Sequence, residues 1–185
     1  LDLTPSKVGV QAVPFLIGKD KKFRLSNSFT PNYSLVTCGG QSSAPMLASV
    51  SENRKDVEAV EISSSIAALS AGPATRKNLD EYIKSTELLA CKILGLNNSK
   101  AKAILVINPA EPPVMMRTTV HIMFKSKVNL PLIKRNLLKN VRKVNKYVPG
   151  YKIVVSPYLV DKSCISMTAI VEGAGYYLPK FSGNL

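Results

Sequence analysis

The chain has 185 residues, and 25 Lys and Arg against 12 Asp and Glu give it a formal net charge of +13. Hydrophobic residues make up 45% of the chain, which is typical of a globular protein and excludes a disordered one. A chain of this length buries roughly 70% of the surface that its unfolded form exposes, so its core requires neither a metal nor disulfides. We therefore expect residues 1–185 to form a single domain.

The sequence carries no membrane, secretory or metal-binding signal. No apolar run approaches the ~20 residues of a membrane helix, and the first residues lack the basic and apolar regions of a secretory signal. Cys38, Cys91 and Cys164 are widely spaced without a Cys-x-x-Cys pair, and His121 is the single histidine. We therefore expect reduced thiols, no metal site, no membrane partner, and a location in the cytoplasm or an organelle matrix.

The first predicted elements meet at a pair of glycines. A short buried strand at 35–37 runs into Cys38-Gly39-Gly40, and a helix follows over about 41–52, with Pro45 tolerated in its first turn. Residues 57–68 alternate between apolar and polar side chains, which indicates a strand. A polar turn at 70–78 separates this strand from the next helix.

The remaining elements continue the mixture of helices and strands. In chain order they are a helix at 79–94 that stops at Gly95, strands at 103–107 and 118–125, a basic amphipathic helix at 132–146, and strands at 152–160 and 164–172. Several consecutive strands interrupted by helices favour an α+β fold with a mixed, largely antiparallel sheet flanked by helices.

Much of the positive charge lies in one acid-free segment, since no acidic residue occurs between Glu111 and Asp161. Ten cations occupy it: Arg117, Lys125, Lys127, Lys134, Arg135, Lys139, Arg142, Lys143, Lys146 and Lys152. One interpretation is a surface for polyanions such as nucleic acid, and the other is a solvated helix face in a lysine-rich chain.

Cys38 is the leading candidate for a reactive group. It lies at a strand-to-helix turn, where the helix dipole and free N–H groups lower a thiol pKa. The two glycines let backbone N–H groups approach a ligand closely, and the free N–H groups of the helix N-terminus are candidates to stabilise an oxyanion on a thiohemiacetal or thioester. The alternative is a small buried cysteine that only packs. His121 is the candidate general base for a Cys–His pair.

The turn after the second strand offers a second candidate site. Its hydroxyls, Gly-Pro kink and arginine precede a helix N-terminus, features that suit an anion. The turn matches neither a phosphate-binding P-loop nor a dinucleotide-binding glycine motif. Its residues are Ser70, Ala71, Gly72, Pro73, Ala74, Thr75, Arg76, Lys77 and Asn78.

Several motifs together point to one family. They are Thr37-Cys38-Gly39-Gly40-Gln41, Ser70-Ala71-Gly72-Pro73 with Thr75-Arg76 and Asn78, Asn108-Pro109-Ala110-Glu111-Pro112-Pro113, Tyr147-Val148-Pro149-Gly150-Tyr151, Val171-Glu172-Gly173-Ala174-Gly175-Tyr176-Tyr177-Leu178-Pro179, and Gly183-Asn184-Leu185. These motifs run in order over the full chain. With them, the chain resembles the CoA-acylating acetaldehyde dehydrogenases that partner 4-hydroxy-2-oxovalerate aldolases.

The resemblance implies a mechanism and a fold. Cys38 would be the nucleophile that forms a thiohemiacetal and then an acyl-thioester, with NAD taking the hydride and CoA taking the acyl group. Residues 70–78 and Asn184 would contact NAD. The fold would be the dimer-forming catalytic half of glyceraldehyde-3-phosphate-dehydrogenase-like enzymes, which implies a homodimer and an aldolase partner.

The chain also departs from the family pattern. Residues 1–185 carry no glycine-rich phosphate turn of an NAD-binding domain, so we expect them to be inactive on their own. Thr118 stands where the resemblance implies an Asp, Leu69 where it implies a Lys, and Ala74 where it implies a Gly. The alternative function is a non-catalytic basic protein that docks on RNA or an acidic partner through residues 117–152. A thiol hydrolase built on Cys38 and His121 is a third possibility.

Overall fold

The computed structural model describes residues 9–17 and 32–183. Over these residues the strands are β1 (Val10–Ala12), β2 (Tyr33–Leu35), β3 (Val57–Ala67), β4 (Ala101–Asn108), β5 (Met116–Phe124), β6 (Tyr151–Leu159) and β7 (Cys164–Val171). The α-helices are α1 (Cys38–Ala48), α2 (Pro73–Lys77), α3 (Leu79–Leu94) and α4 (Leu130–Val144).

Five strands form the main sheet in the order β4-β3-β5-β7-β6. β3 and β4 are parallel, and α3 lies in the connection between them, as a parallel crossover requires. The other pairs in this sheet are antiparallel. β1 and β2 make a separate parallel pair. The predicted α+β fold with a largely antiparallel sheet is therefore confirmed.

The core lies between one face of this sheet and three helices. α1 packs on β3, β5 and β7, while α3 and α4 flank it and pack on β4 and β6. Most of α1 is buried, including Ala44, Met46 and Leu47. A helix that is apolar or small on all sides occupies the middle of a core, and α1 does so here.

The other face of the sheet has no helix against it in the described part of the chain. Successive strand residues point to opposite faces, so the neighbours of the buried positions point away from the helices. On this open face Ile104, Val106 and Met123 are 46%, 45% and 39% exposed. The sheet therefore carries apolar side chains on both faces.

The largest difference from the predicted elements is at α1, which spans 38–48 rather than 41–52. Thr37 caps the helix because its Oγ1 accepts the Gly40 N–H at 3.0 Å, so Cys38 becomes the first helical residue. A 3₁₀ helix at Ser51–Asp56 follows. The predicted strand at 35–37 lies two residues earlier, at β2, and β1 was not predicted.

Candidate active site

Cys38 is held at the N-terminus of α1 by contacts to α3. Cys38 is half-buried. The Thr37 cap lies 2.7 Å from the Thr86 hydroxyl, and Thr86 in turn donates to the Tyr82 carbonyl at 2.8 Å. These bonds fix the first turn of α1 against the first two turns of α3, and so fix the position from which the Cys38 thiol projects.

Tyr82 is the side chain that meets the sulfur. Its hydroxyl oxygen lies 3.4 Å from Cys38 Sγ and accepts the Gly39 N–H at 2.8 Å. The Gly40 N–H is donated to Thr37, as described above. The N–H groups of Gly39 and Gly40 are therefore not among the free N–H groups expected at this helix N-terminus, because each has a partner within the chain.

The thiol is also less acidic than its place on the helix predicts. Burial raises the pKa of Cys38 above its ordinary value, while hydrogen bonds from the Tyr82 hydroxyl and the Gly39 N–H lower it by less. Burial likewise raises the pKa of the Tyr82 phenol, and the neighbouring sulfur adds to that rise. The expected lowering of the Cys38 pKa is not found, because desolvation outweighs the hydrogen bonds.

A chain of hydroxyl groups continues from Tyr82 beneath α1. Ser64 hydrogen-bonds to the Tyr82 hydroxyl and lies 3.3 Å from Thr118 Oγ1. Thr118 is 1% exposed and lies 2.6 Å from Ser42 Oγ. Thr118, which stands where the resemblance implies an Asp, is therefore part of a neutral buried cluster, and no carboxylate among the described residues shifts the Cys38 pKa.

His121 does not meet Cys38. Its β5 neighbours Val120 and Ile122 are fully buried and face the helices, as Thr118 does. His121 occupies the intervening register, so it points to the open face, between Glu61 and Ser166 on the neighbouring strands. The predicted Cys–His pair is wrong, and the thiol hydrolase hypothesis loses its base.

The predicted cofactor segment 70–78 folds tightly on itself. Arg76 donates from Nε to the Ala71 carbonyl at 2.9 Å and from Nη2 to the Ala68 carbonyl at 2.8 Å. Asn78 Nδ2 donates to the Ala74 carbonyl at 2.8 Å. The segment includes α2 and leads directly into α3, so it is joined to the helix turn that carries Tyr82.

Asn184 lies outside the described residues. The 3₁₀ turn Lys180–Ser182 shortly before it packs against β3 and against the turn Ala68–Ser70. The Gly173 N–H donates to the Lys180 carbonyl at 2.8 Å and holds this turn in place. The turn at 180–182 therefore lies close to the start of the segment 70–78, at the end of β3.

The acid-free basic segment does not form one surface. Six of its cations are exposed on α4 or just after it: Lys134, Arg135, Lys139, Arg142, Lys143 and Lys146. Arg117 and Lys152 alternate with the buried Thr118 and Tyr151, so they lie on the open face of the sheet, away from α4. Lys152 is paired there with Glu172 at 3.1 Å.

Other types of site are not found over the described ranges. There, no group of three or more His, Cys, Asp or Glu side chains is placed to hold a metal ion. Cys38, Cys91 and Cys164 are free thiols. In the same part of the chain, no helix is long and apolar enough to cross a bilayer.

Comparison with known proteins decides the family. The sequence model of the family described as "Prokaryotic acetaldehyde dehydrogenase, dimerisation" matches residues 38–179. The chain belongs to this family. It is 42% identical to an acetaldehyde dehydrogenase of Spirochaeta aurantia and 42% identical to acetaldehyde dehydrogenase 1 of Dechloromonas aromatica, in each case over 100% of the chain. The chain spans 59% and 58% of the lengths of these relatives.

A solved structure supports the fold. The aspartate semialdehyde dehydrogenase of Francisella tularensis is 11% identical, has a TM-score of 0.51, and is matched over 76% of this chain and 60% of its own. The two chains therefore share the mixed sheet flanked by helices. The family match begins at Cys38, the residue that sequence reasoning placed at the site.

Sequence reasoning missed Tyr82. The available signal was its place on the apolar stripe of α3, where a phenol packs its ring and must find a partner for its hydroxyl. The partner itself, the first turn of α1, is 43 residues away in sequence, so no local pattern indicates it.

Proposed function

We propose that residues 1–185 form the nucleophile-bearing and dimer-forming domain of a CoA-acylating acetaldehyde dehydrogenase. The observation that carries this proposal is the placement of Cys38 as the first residue of α1, bonded to Tyr82, at the start of the family match. Cys38 is half-buried, so part of the residue is open to solvent.

In this proposal the Cys38 sulfur attacks the carbonyl carbon of acetaldehyde and forms a C–S bond, and the carbonyl oxygen takes up a proton to give a thiohemiacetal. NAD, which residues 70–78 and Asn184 would hold, would supply the hydride acceptor; loss of the hydride to it and of the hydroxyl proton to water would leave an acetyl-thioester on Cys38. The CoA thiol then takes the acetyl group and returns the proton to Cys38. The buried hydroxyls of Tyr82 and Thr118 hold the helix turn that orients the sulfur.

The packing of residues 68–70 against 180–182 supports a shared NAD site. We propose that residues 70–78 and Asn184 hold the cofactor there, close to the helix turn that carries Tyr82. The internal bonds of Arg76 and Asn78 leave this segment ordered before a ligand arrives, which reduces the entropy that binding would cost.

Complementation tests the proposed activity. Residues 1–185 are mixed with the separately expressed part of the Dechloromonas aromatica relative that lies outside the matched region, and NADH absorbance is followed with acetaldehyde, CoA and NAD. We expect NADH from the mixture, none from residues 1–185 alone, and none from a mixture with Cys38→Ser. The proposal fails if this mixture is inactive while the two separated parts of the relative are active together.

We further propose that the open face of the sheet is the homodimer interface. Ile104, Val106 and Met123 expose apolar surface on it, and two sheets pack well face to face. Sedimentation should show a dimer that Val106→Asp converts to a monomer. Leu138→Asp, on the exposed face of α4, should remain dimeric. A dimeric Val106→Asp protein would contradict the assignment.

Two other parts of the proposal concern a protein partner, which rests on the resemblance, and the cellular compartment, which rests on the cysteines. A 4-hydroxy-2-oxovalerate aldolase is the proposed partner of the assembled enzyme, and co-elution on size exclusion is its test. The three free thiols support a reducing compartment, the cytoplasm or an organelle matrix.

A second candidate function is non-catalytic docking on RNA or an acidic protein, favoured by the six exposed cations on α4 or just after it. Phosphate neutralisation makes such binding steeply salt-dependent. This candidate predicts that a single-stranded RNA oligonucleotide binds at low salt and is released as salt rises, and that Lys139→Glu weakens it. No binding at low salt removes RNA from the candidates.

A further inference from the structure

The Tyr82 hydroxyl is the centre of the hydrogen bonds around Cys38. It accepts the Gly39 N–H at 2.8 Å, lies 3.4 Å from Cys38 Sγ, and is bonded to Ser64. Tyr82 is 8% exposed, so its ring cannot turn away without opening the interface between α1 and α3. The hydroxyl is therefore held by packing as well as by its bonds.

The direction of the bond to sulfur follows from the chemistry of the groups. A backbone N–H can only donate, so the phenol oxygen is the acceptor from Gly39. A thiolate can only accept, so when Cys38 ionises the phenol hydrogen is the one available to it from Tyr82. A hydrogen bond to a charged partner is stronger than one between neutral groups, so this contact favours the ionised sulfur.

No charged side chain competes with the phenol for the sulfur. α1 itself contains no charged residue. Within the described residues, neutral polar side chains face α1 from the helices and strands packed against it. They are Ser64, Thr86, Thr118, Asn140 and Tyr151. Tyr151 is titratable, but burial raises the pKa of its phenol, so it stays protonated. His121 faces the other side of the sheet.

We propose that Tyr82 is the positioning residue of Cys38: its hydroxyl, oriented by the Gly39 N–H, donates to the sulfur, fixes its direction and favours the thiolate. Among the described residues, no carboxylate or imidazole supports the Cys38 thiol. The neutral Tyr82 hydroxyl supplies this support by donating a hydrogen bond to the sulfur. The inference deepens the proposed role of Cys38 as nucleophile and rests on it for its biological meaning.

The test measures the thiol directly, without acetaldehyde, NAD or CoA. Iodoacetamide alkylates thiolates, and peptide mass spectrometry separates Cys38 from Cys91 and Cys164. At about pH 8, Tyr82→Phe should lower the Cys38 alkylation rate roughly tenfold and move its pH midpoint upward, because losing a bond to a charged group shifts a pKa by about one unit.

Tyr151→Phe is the matched control. It also removes a buried phenol hydroxyl that bonds to α1, at the Ser42 carbonyl 2.8 Å away, but it does not touch the sulfur. We expect this variant to keep the wild-type pH profile of Cys38. Equal shifts in both variants, or no shift in Tyr82→Phe, would overturn the inference.

A second measurement covers the case in which Tyr82→Phe does not fold. Alkylation of Cys38 in the wild-type chain should perturb the near-ultraviolet tyrosine absorption, with a Cys38→Ala chain as the blank. An unchanged tyrosine spectrum would overturn the inference. These readouts are independent of the complementation assay, so a chain that makes no NADH and still shows the tyrosine effect contradicts the proposed function alone.

Discussion

Replacing Gly39 with Ala tests the close approach of α1 to α3 and β3. A Cβ built at Gly39 would overlap the Tyr82 hydroxyl and would lie 2.7 Å from Ser64 Oγ. Gly39 lies inside α1 and its φ is not positive, so backbone conformation does not require glycine there. Glycine is required instead because α3 and β3 lie so close to α1 at this position.

The expected cost follows from these contacts. Overpacking a filled site costs about 1–3 kcal/mol, and displacing Tyr82 from the Gly39 N–H costs about 1 kcal/mol more. Alanine recovers about 0.4–1 kcal/mol by restricting the unfolded chain. The net loss in the free energy of unfolding is about 1–3.6 kcal/mol, which lowers the Tm of a chain of this size by about 2–14 °C.

Thermal unfolding followed by circular dichroism measures this loss. Gly72→Ala is the matched control, because a Cβ at Gly72 meets no atom within 4 Å and its φ of −67° suits any residue. We expect Gly72→Ala to be as stable as the wild type or slightly more so. A Gly39→Ala chain with the wild-type Tm would refute the argument that the Tyr82 hydroxyl requires glycine at this turn.

Two further predictions concern stability. Leu137 is 1% exposed on α4 and its neighbour Leu138 is 58% exposed. Leu137→Ala should therefore lower the free energy of unfolding in urea by about 2–5 kcal/mol, and Leu138→Ala should lower it by about 0.5 kcal/mol or less. Equal losses would contradict the assigned helix face. Hydrogen bonds from Lys152 and then Lys180 lower the pKa of Glu172, so its contribution to stability is present above the ordinary carboxyl range and is lost as the pH falls through its folded pKa. Glu172→Gln should therefore weaken the acid-side dependence of unfolding, and an unchanged pH profile would contradict the ion pairs.

The elements that local pattern determines were predictable from the sequence. The alternation of residues 118–125 gave β5 with its buried side, and the apolar stripe of residues 79–94 gave α3. The helix stop at Gly95 is confirmed by its left-handed φ of 73°. In each case the signal lies within a few residues of the element, so no knowledge of distant contacts is needed.

The partners of Cys38 were not predictable, because they come from distant parts of the chain. Position at a helix N-terminus predicts a lowered thiol pKa and free N–H groups. Tertiary packing instead desolvates the thiol of the half-buried Cys38 and occupies both glycine N–H groups. The prediction that His121 is the general base for Cys38 failed for a different reason. Alternation showed that it points away from Thr118, but not which face of the sheet α1 covers.

The charge that the sequence concentrates in one segment is divided by the fold. Arg117 and Lys152 lie on the open face of the sheet, whereas the cations of α4 lie on the opposite side of the molecule's core. A run of like charge along the chain is therefore not one surface when strands and a helix within it face different ways.

Transfer of an acetyl group from acetyl-CoA to residues 1–185 tests the nucleophilic role of Cys38 most directly. The Cys38 thiol would displace CoA from its thioester and release free CoA thiol, a step that needs no NAD. Intact mass and peptide mapping should find one acetyl group, on Cys38 and removable by hydroxylamine, and none on a Cys38→Ser chain. An acetyl group on Cys91 or Cys164 instead, or no acetylation of a folded chain, would contradict the assignment of Cys38 as the nucleophile.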